Sequence, residues 1–455
     1  MVPGHAGGGR GKLTTPVLDF VRAYAGSNTA RLHMPGHKGR GPLGCESVDI
    51  TEISGADDLA CPEGIIAESE ANAAELFGSR ATLYSTGGSS QCVKAMLLLC
   101  ARRSKSRVIL AARNVHKSFV HACALLDLHP AWLYGSPGAS LCSCHVTPDE
   151  LRAGLDSLPE RPAAVYITSP DYLGGMQGVS SLAAVAHAFG VPLIADNAHG
   201  AYLRFLHEKA HPLELGADMC CDSAHKTLGV LTGGAYLHVS RESAWDFERD
   251  AREALGVFGS SSPSYLVMAS LDAMNLRLAG PYRAELAGCA ESLCSLRAQL
   301  SGLGVPVEPS DPLRLTVAAF RAGYSGYELA GLLRGNGAEP EFADPDWLAL
   351  MFTPDSRPED YGVVLKAFAG FRPREPRRPC PPPPRGIVDI TPGNALLLPR
   401  ESIPAARCAG RVAASAAVSC PPAVPIAVMG ERLTERHAEL LAAYGIDYID
   451  VVCKK

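Results

Sequence analysis

The run Asp222-Ser223-Ala224-His225-Lys226-Thr227 sets one lysine among small hydroxyl side chains and an imidazole, directly after an apolar stretch. A lysine amine is a nucleophile only when deprotonated, and it forms Schiff bases with carbonyl cofactors once burial or neighbouring charge lowers its pKa. The flanking hydroxyls and the imidazole suit a phosphate. Taken alone, the run reads equally well as an ordinary surface lysine behind a strand.

Three other segments supply the rest of such chemistry. Ser85-Thr86-Gly87-Gly88-Ser89-Ser90-Gln91 precedes an apolar helical stretch, Val93 to Cys100. Its glycines let backbone approach an anion, its hydroxyls donate, and the helix start offers free N–H groups with a favourable dipole; a plain capped turn is the alternative. Asp196-Asn197-Ala198-His199-Gly200 ends an apolar run thirty residues before Lys226. A carboxylate there suits the ring nitrogen of pyridoxal phosphate, which acts as an electron sink only while that nitrogen stays protonated. Arg113-Asn114-Val115-His116-Lys117-Ser118 follows a third run, where His116 is placed to stack on a pyridine face and Ser118 to reach a phosphate. The predicted cofactor is therefore pyridoxal phosphate.

These segments need a scaffold that brings them to one edge. Arg107 to Ala112, Ala163 to Thr168, Val191 to Asp196 and Ala217 to Asp222 are short apolar runs separated by longer amphipathic stretches, the pattern of a parallel α/β sheet. Ligands bind beyond the carboxyl ends of such strands. From Arg241 to Leu303 the pattern is helical; Leu313 to Phe320 and Trp347 to Phe352 read as strands of a smaller α/β domain. Prolines of Arg372 to Arg385 favour an extended linker or surface strap. Val424 to Met429 and a helix within Glu431 to Tyr444 complete a small terminal unit. The expected organisation is an N-terminal segment (1–45), a large cofactor-binding domain (46–285), a small domain (286–371), the proline-rich linker (372–386) and a C-terminal unit (387–455).

The chain has 455 residues, 42 basic against 47 acidic, with no basic block except around Arg372 to Arg378. That balance argues against nucleic acid or an anionic membrane as the main partner. Its 15 cysteines are scattered, and Met1 to Gly11 lacks an apolar signal core; reduced thiols in the cytoplasm are the expectation. Cys142, Cys144 and His145 lack the second pair that a zinc site needs, so no metal is expected.

Jointly the motifs resemble the Orn/Lys/Arg decarboxylases, in particular the shorter bacterial forms without an N-terminal receiver-like domain. The matching stretches are RLHMPGHKG from Arg31, DITEISGADDL from Asp49, the glycine-serine loop, RNVHKS, ITSPDYLGG, ADNAHGAY and DSAHKTL, in the family's order between about Thr15 and Leu231. The resemblance implies a type I PLP-dependent transferase fold and decarboxylation of lysine, arginine or ornithine to an amine of the polyamine-precursor class. It implies that Lys226 carries the cofactor, Asp196 pairs with the pyridine nitrogen and His116 stacks on the ring. Ser89, Ser90, Ser223 and His225 would hold the phosphate, with Thr168 and His199 near the cofactor. Lys226 or His225 would donate the Cα proton. His33, His37, Lys38, Asp57 and Asp58 lie in segments that approach the site in similar enzymes, across a dimer interface; Glu341 and Asp344 resemble an acidic pair able to receive a distal cation. Asn394 and Ala395, after Pro392-Gly393, depart from the family pattern and bear on substrate range. Because the cofactor residues do not fix which Cα bond breaks, an aminotransferase or lyase is the alternative activity, and a non-catalytic cofactor-binding scaffold a further one.

Overall fold

The computed structural model describes residues 13–135, 140–416 and 423–453; Met1 to Gly11 lies outside them. Seven strands, β1 (Ala81–Ser85), β2 (Val108–Ala112), β3 (His129–Leu133), β4 (Ala164–Thr168), β5 (Leu193–Asp196), β6 (Met219–Asp222) and β7 (Ala235–Val239), form one sheet in the order β1-β7-β6-β5-β4-β2-β3. β7 pairs antiparallel with both β1 and β6, while the remaining pairs are parallel. Six strands therefore end at the same edge, and β7 begins there. All four runs read as parallel strands are found, each starting one or two residues later than the apolar pattern does. They are apolar almost throughout because helices cover both faces of the sheet.

The helices that matter for the site are α1 (Pro16–Ala25), α2 (Ile65–Phe77), α3 (Gly88–Arg103), α4 (Lys117–Leu126), α5 (Pro148–Ser157), α6 (Val179–Ala188) and the short α7 (Ala224–Thr227). α3 starts inside the glycine-serine loop, so Ser89 and Ser90 occupy its first turn. His116 is the N-cap of α4: its Nδ1 accepts the Ser118 N–H at 3.2 Å. α7 follows β6 at once and carries His225 and Lys226.

The helical stretch after Arg241 resolves into α8 (Glu248–Val257), α9 (Tyr265–Ala279) and α10 (Tyr282–Gly302). A second sheet follows, with β8 (Val307–Glu308), β9 (Arg314–Ala318), β10 (Phe342–Ala343) and β11 (Trp347–Met351) antiparallel in the order β10-β11-β9-β8. The proline-rich segment is laid along this sheet: Arg377 donates to the carbonyls of Tyr324 and Pro345, and Arg374 lies 3.9 Å over the Tyr324 ring and pairs with Glu328. Val424 to Met429 is buried as its composition predicts but forms no strand of a sheet. A helix does span Glu435–Ala443. No described helix is long and apolar enough to cross a membrane. The 14 described cysteines carry free thiols.

Candidate active site

At the carboxyl edge of the large sheet lies a cavity of about 270 Å³. The end of β1 and the start of α3 give it Gly87, Gly88, Ser89 and Ser90; β2 and the loop behind it give Asn114 and His116. Thr168 and Tyr172 come from the end of β4, Asp196 and His199 from β5, and Ser223, His225 and Lys226 from β6 and α7. Hollows of larger volume exist elsewhere, one of about 480 Å³ beneath Tyr134 and Arg385, but they lack a nucleophile beside a buried carboxylate.

Nine of the ten residues expected around a cofactor thus line one cavity. Ser118 does not: it is buried, and its hydroxyl lies 2.8 Å from His116 Nδ1. It is a support for the imidazole rather than a phosphate donor, a role that follows from α4 starting at Lys117 and turning the serine inward.

Asp196 is 2% exposed and receives the Tyr166 hydroxyl at 3.0 Å and the Ala198 N–H at 3.1 Å. Lys226 Nζ lies 2.9 Å from His199 Nε2. Burial drives the Lys226 ammonium below its usual range, against the pull of Asp196 and Glu341, and the nearby Arg314 adds to the lowering. That is the direction a nucleophilic amine requires. Burial also lowers His116, to about 4, despite Asp196, and pushes His225 and His199 down as well. The imidazoles here are therefore neutral near pH 7. His225 Nδ1 lies 3.0 Å from the Gly234 carbonyl, which can only accept, so Nδ1 carries the proton.

The backbone makes a cradle at the α3 end. Gly88 sits at φ +71° and Gly233 at φ +98°, left-handed conformations in which a side chain is strained, and the Gly88 N–H donates to Gly233 O at 2.8 Å. A Cβ on Gly233 would stand 3.0 Å from the Thr86 carbonyl oxygen. The Ser223 hydroxyl donates to Ser89 Oγ at 2.7 Å, tying α7 to the first turn of α3. Thr168 Oγ1 and both amide atoms of Asn114 are buried on the cavity wall without a hydrogen-bond partner. Unsatisfied polar atoms cost free energy unless something completes them.

The residues expected to receive substrate fare differently. Glu341 accepts the hydroxyl of Tyr172 at 2.7 Å, and Tyr172 meets His199 edge-on at 4.9 Å between ring centroids. Glu341 thus stands behind the cavity wall. Asp344 does not reach the cavity. Its carboxylate receives the Asp346 and Trp347 N–H groups and the Tyr444 hydroxyl, and burial raises it to about 6. Asp57 caps α2, accepting the N–H groups of Gly64 at 2.8 Å and Ile66 at 2.9 Å, and Asp58 closes a local turn with Ala60. His37 pairs with Asp49 at 3.2 Å, and His33 bonds the Tyr24 hydroxyl. None of His33, His37, Asp57 and Asp58 lines the cavity within one chain.

Residues that sequence reasoning missed complete the wall. Tyr172 lies in the ITSPDYLGG stretch, where a phenol four residues past a strand end was an available signal. Arg314 is a lone cation between leucines in a strand, 2% exposed. A charge in so apolar a run requires buried partners, and that was its signal. Cys142 reaches the same cavity. Among the described residues one cluster has metal-ligand spacing, His211, Cys220 and Asp222; it lies outside this cavity, with His211 and Asp222 already bonded to each other at 3.0 Å.

Comparison with known proteins identifies the family and the fold. The family model for the major domain of the Orn/Lys/Arg decarboxylases matches residues 1–305. The chain belongs to that family. Two proteins of Bacillus subtilis (strain 168) are 28% identical to it: the uncharacterized protein YaaO, over 94% of both chains, and an arginine decarboxylase, over 93% of this chain and 92% of the relative. The structure of the constitutive lysine decarboxylase of Escherichia coli superposes with a TM-score of 0.76 at 18% identity, covering 97% of this chain and 82% of that one. At that identity the likeness is one of fold.

Proposed function

We propose that this chain is a pyridoxal-phosphate-dependent decarboxylase of a basic amino acid, lysine, arginine or ornithine, releasing carbon dioxide and the amine. The observation that carries the reading is the joint presence in one cavity of an amine held toward its neutral form, a buried carboxylate, and two serines at a helix N-terminus. The family membership and the arginine decarboxylase relative support the reaction.

The residues fit the cofactor. Ser89, Ser90 and Ser223, with the first-turn N–H groups of α3 that have no intrahelical carbonyl, would hold the phosphate. Asp196 would keep the pyridine nitrogen protonated, and His116, neutral and fixed through Nδ1, would cover the ring face. Asn114 and Thr168 offer unsatisfied polar atoms to its substituents. When bound, pyridoxal phosphate supplies the sink for the electron pair left as the Cα–carboxylate bond breaks.

The chain's own groups do the rest. Lys226, held toward its neutral amine, would be the residue that holds the cofactor, and its nitrogen would move the proton at the substrate Cα. His225, with its proton on Nδ1, would bond a phosphate oxygen through Nε2 only after taking up a second proton. Glu341, behind Tyr172, supplies negative charge for the substrate's distal cation. His33, His37, Asp57 and Asp58 reach a site only in a homodimer. That assembly is supported by Leu32 and Leu43, 92% and 81% exposed in the segment beside the two histidines. The free thiols fit a reducing, cytoplasmic setting.

The test is release of carbon dioxide and amine from a panel of lysine, arginine and ornithine, with Lys226→Ala as control. Keto acid without carbon dioxide refutes the reaction. Full activity in Lys226→Ala refutes the site.

A further inference from the structure

Arg314 opens β9 in the small sheet, yet its guanidinium crosses to the large one. It donates through Nη1 to the carbonyls of Asp171 and Tyr172, at 2.9 and 2.5 Å, and through Nη2 to His199 Nδ1 at 3.0 Å. Its Nε stands 3.4 Å from an Asp311 carboxylate oxygen. A guanidinium has donors only, so His199 Nδ1 must offer its lone pair. A neutral imidazole carries a single proton, which then sits on Nε2. That Nε2 is the atom 2.9 Å from Lys226 Nζ, and an N–H there requires an acceptor. The lysine nitrogen accepts only as the free base; an ammonium would set N–H against N–H.

Resting on the reading of Lys226 as the carbonyl-binding amine, we propose that Arg314 is a positioning residue that fixes His199 as the Nε2–H tautomer and so selects the neutral, nucleophilic form of Lys226. The carboxylates facing the lysine, Asp196 from β5 and Glu341 ahead of β10, favour the ammonium. Cys221 on β6, His116 at the start of α4 and His225 on α7 complete its titratable surroundings. Burial of both partners and the Arg314 charge oppose the two carboxylates, and the tautomer makes that opposition directional. The hydrogen bonds to the Asp171 and Tyr172 carbonyls hold the guanidinium still, so the small sheet sets the protonation of a residue on the large one.

The experiment uses the full-length chain freed of cofactor, with competitive acetylation by acetic anhydride across a pH series, read by mass spectrometry at Lys226 against exposed Lys105. Histidine-selective ¹⁵N spectra report the His199 tautomer. In Arg314→Met the Lys226 midpoint is expected to rise by about one unit, making the amine about tenfold less reactive at neutral pH, and the His199 Nδ1 resonance loses its unprotonated character. Arg314→Lys, which keeps a donor and the charge, restores most of the shift. Should Arg314→Met not fold, the imidazole partner decides. His199→Gln offers an amide oxygen to Arg314 and an N–H to Lys226, so it stays near the wild-type midpoint, whereas His199→Leu moves up. Equal midpoints for His199→Gln and His199→Leu, or an unchanged tautomer in Arg314→Met, overturn the proposal. Failure of the wild type to be trapped covalently on pyridoxal phosphate by borohydride would instead overturn the cofactor reading, which the labelling series does not use.

Discussion

Asp222 is the last residue of β6 and carries the loop that delivers Lys226, so its surroundings decide how firmly that lysine is placed. Its Oδ2 accepts from His211 Nε2 at 3.0 Å and His238 Nε2 at 3.2 Å, and its Oδ1 from Asn197 Nδ2 at 2.6 Å, all fully buried. Burial works to raise this carboxyl, but the two imidazoles and their hydrogen bonds outweigh it and hold it below the usual carboxylate range. In Asp222→Asn, one oxygen can still serve both histidines. The new amide N–H₂ then faces Asn197, whose own Oδ1 has no partner; a flip of that side chain satisfies both. Only the charge assistance is lost, on three bonds that fall from roughly 1.5–3 kcal/mol to roughly 0.5–1.5 kcal/mol each. The expected destabilisation is about 3–4.5 kcal/mol. Asp222→Ala leaves three buried donors unmet and should cost about 4.5–9 kcal/mol, a large share of a typical folding free energy.

Urea unfolding of both variants, with wild-type and variant slopes compared, reads these values. The sign with pH is fixed as well. A carboxyl held below its unfolded value contributes stability that is complete above the unfolded pKa and drains away as pH falls through the folded one, so the gap between wild type and Asp222→Asn narrows only in acid. Two outcomes refute the reasoning: Asp222→Asn as costly as Asp222→Ala, or both below about 1 kcal/mol.

Three further outcomes follow from the same contacts. Gly233→Ala forces a side chain into φ +98° and against the Thr86 carbonyl; at roughly 1–2 kcal/mol of strain it should weaken pyridoxal phosphate binding about tenfold, checked by spectrophotometric titration. Gly88→Ala, whose Cβ meets only His225 at 3.9 Å, should weaken it less. Tyr172→Phe frees Glu341 from its hydroxyl partner and should change KM for the basic amino acid several-fold with little change in unfolding, whereas Glu341→Gln, which removes one negative charge from behind the cavity wall, raises KM by about tenfold. Asp272 on α9 receives the Leu18 N–H of α1 at 3.0 Å and the Ser69 hydroxyl, and burial raises it to about 6. A carboxyl raised by folding favours the folded state when protonated. Stability relative to Asp272→Asn should therefore fall on the order of 2–3 kcal/mol as pH climbs from about 4 past 6, measured by urea unfolding at each pH.

The large sheet was legible because β2, β4, β5 and β6 each announce themselves twice, by an apolar run and by the polar residues that follow it. Parallel strands buried on both faces allow no alternation, so the run itself is the signal. The same logic led to Lys226, Asp196 and His116, which the structure brings to one cavity: a group at a strand's carboxyl end is located by the strand and its next turn. Ser118 shows where that logic fails. It lies two residues past His116, but the helix beginning at Lys117 turns it inward to serve the imidazole, and motif position carries no information about that rotation. Asp344 was misread for a related reason, since its partners are two backbone N–H groups of its own turn and a phenol 100 residues away.

Residues whose role depends on two sheets meeting were not legible at all. Arg314 is announced only as an oddity, a guanidinium between leucines, because its partners lie 142, 143 and 115 residues upstream. The consequence reaches the chemistry. A strand-end lysine among carboxylates would rest as an ammonium, unreactive toward a carbonyl, however well its motif matched. Burial lowers that lysine first, and donors arriving from the second sheet, relayed through one imidazole, add to the lowering. The large sheet places the reacting groups, but the small sheet sets the proton on which their reactivity depends. Substitution of Arg314 in β9, which leaves every motif residue intact, should therefore make Lys226 about tenfold less reactive at neutral pH.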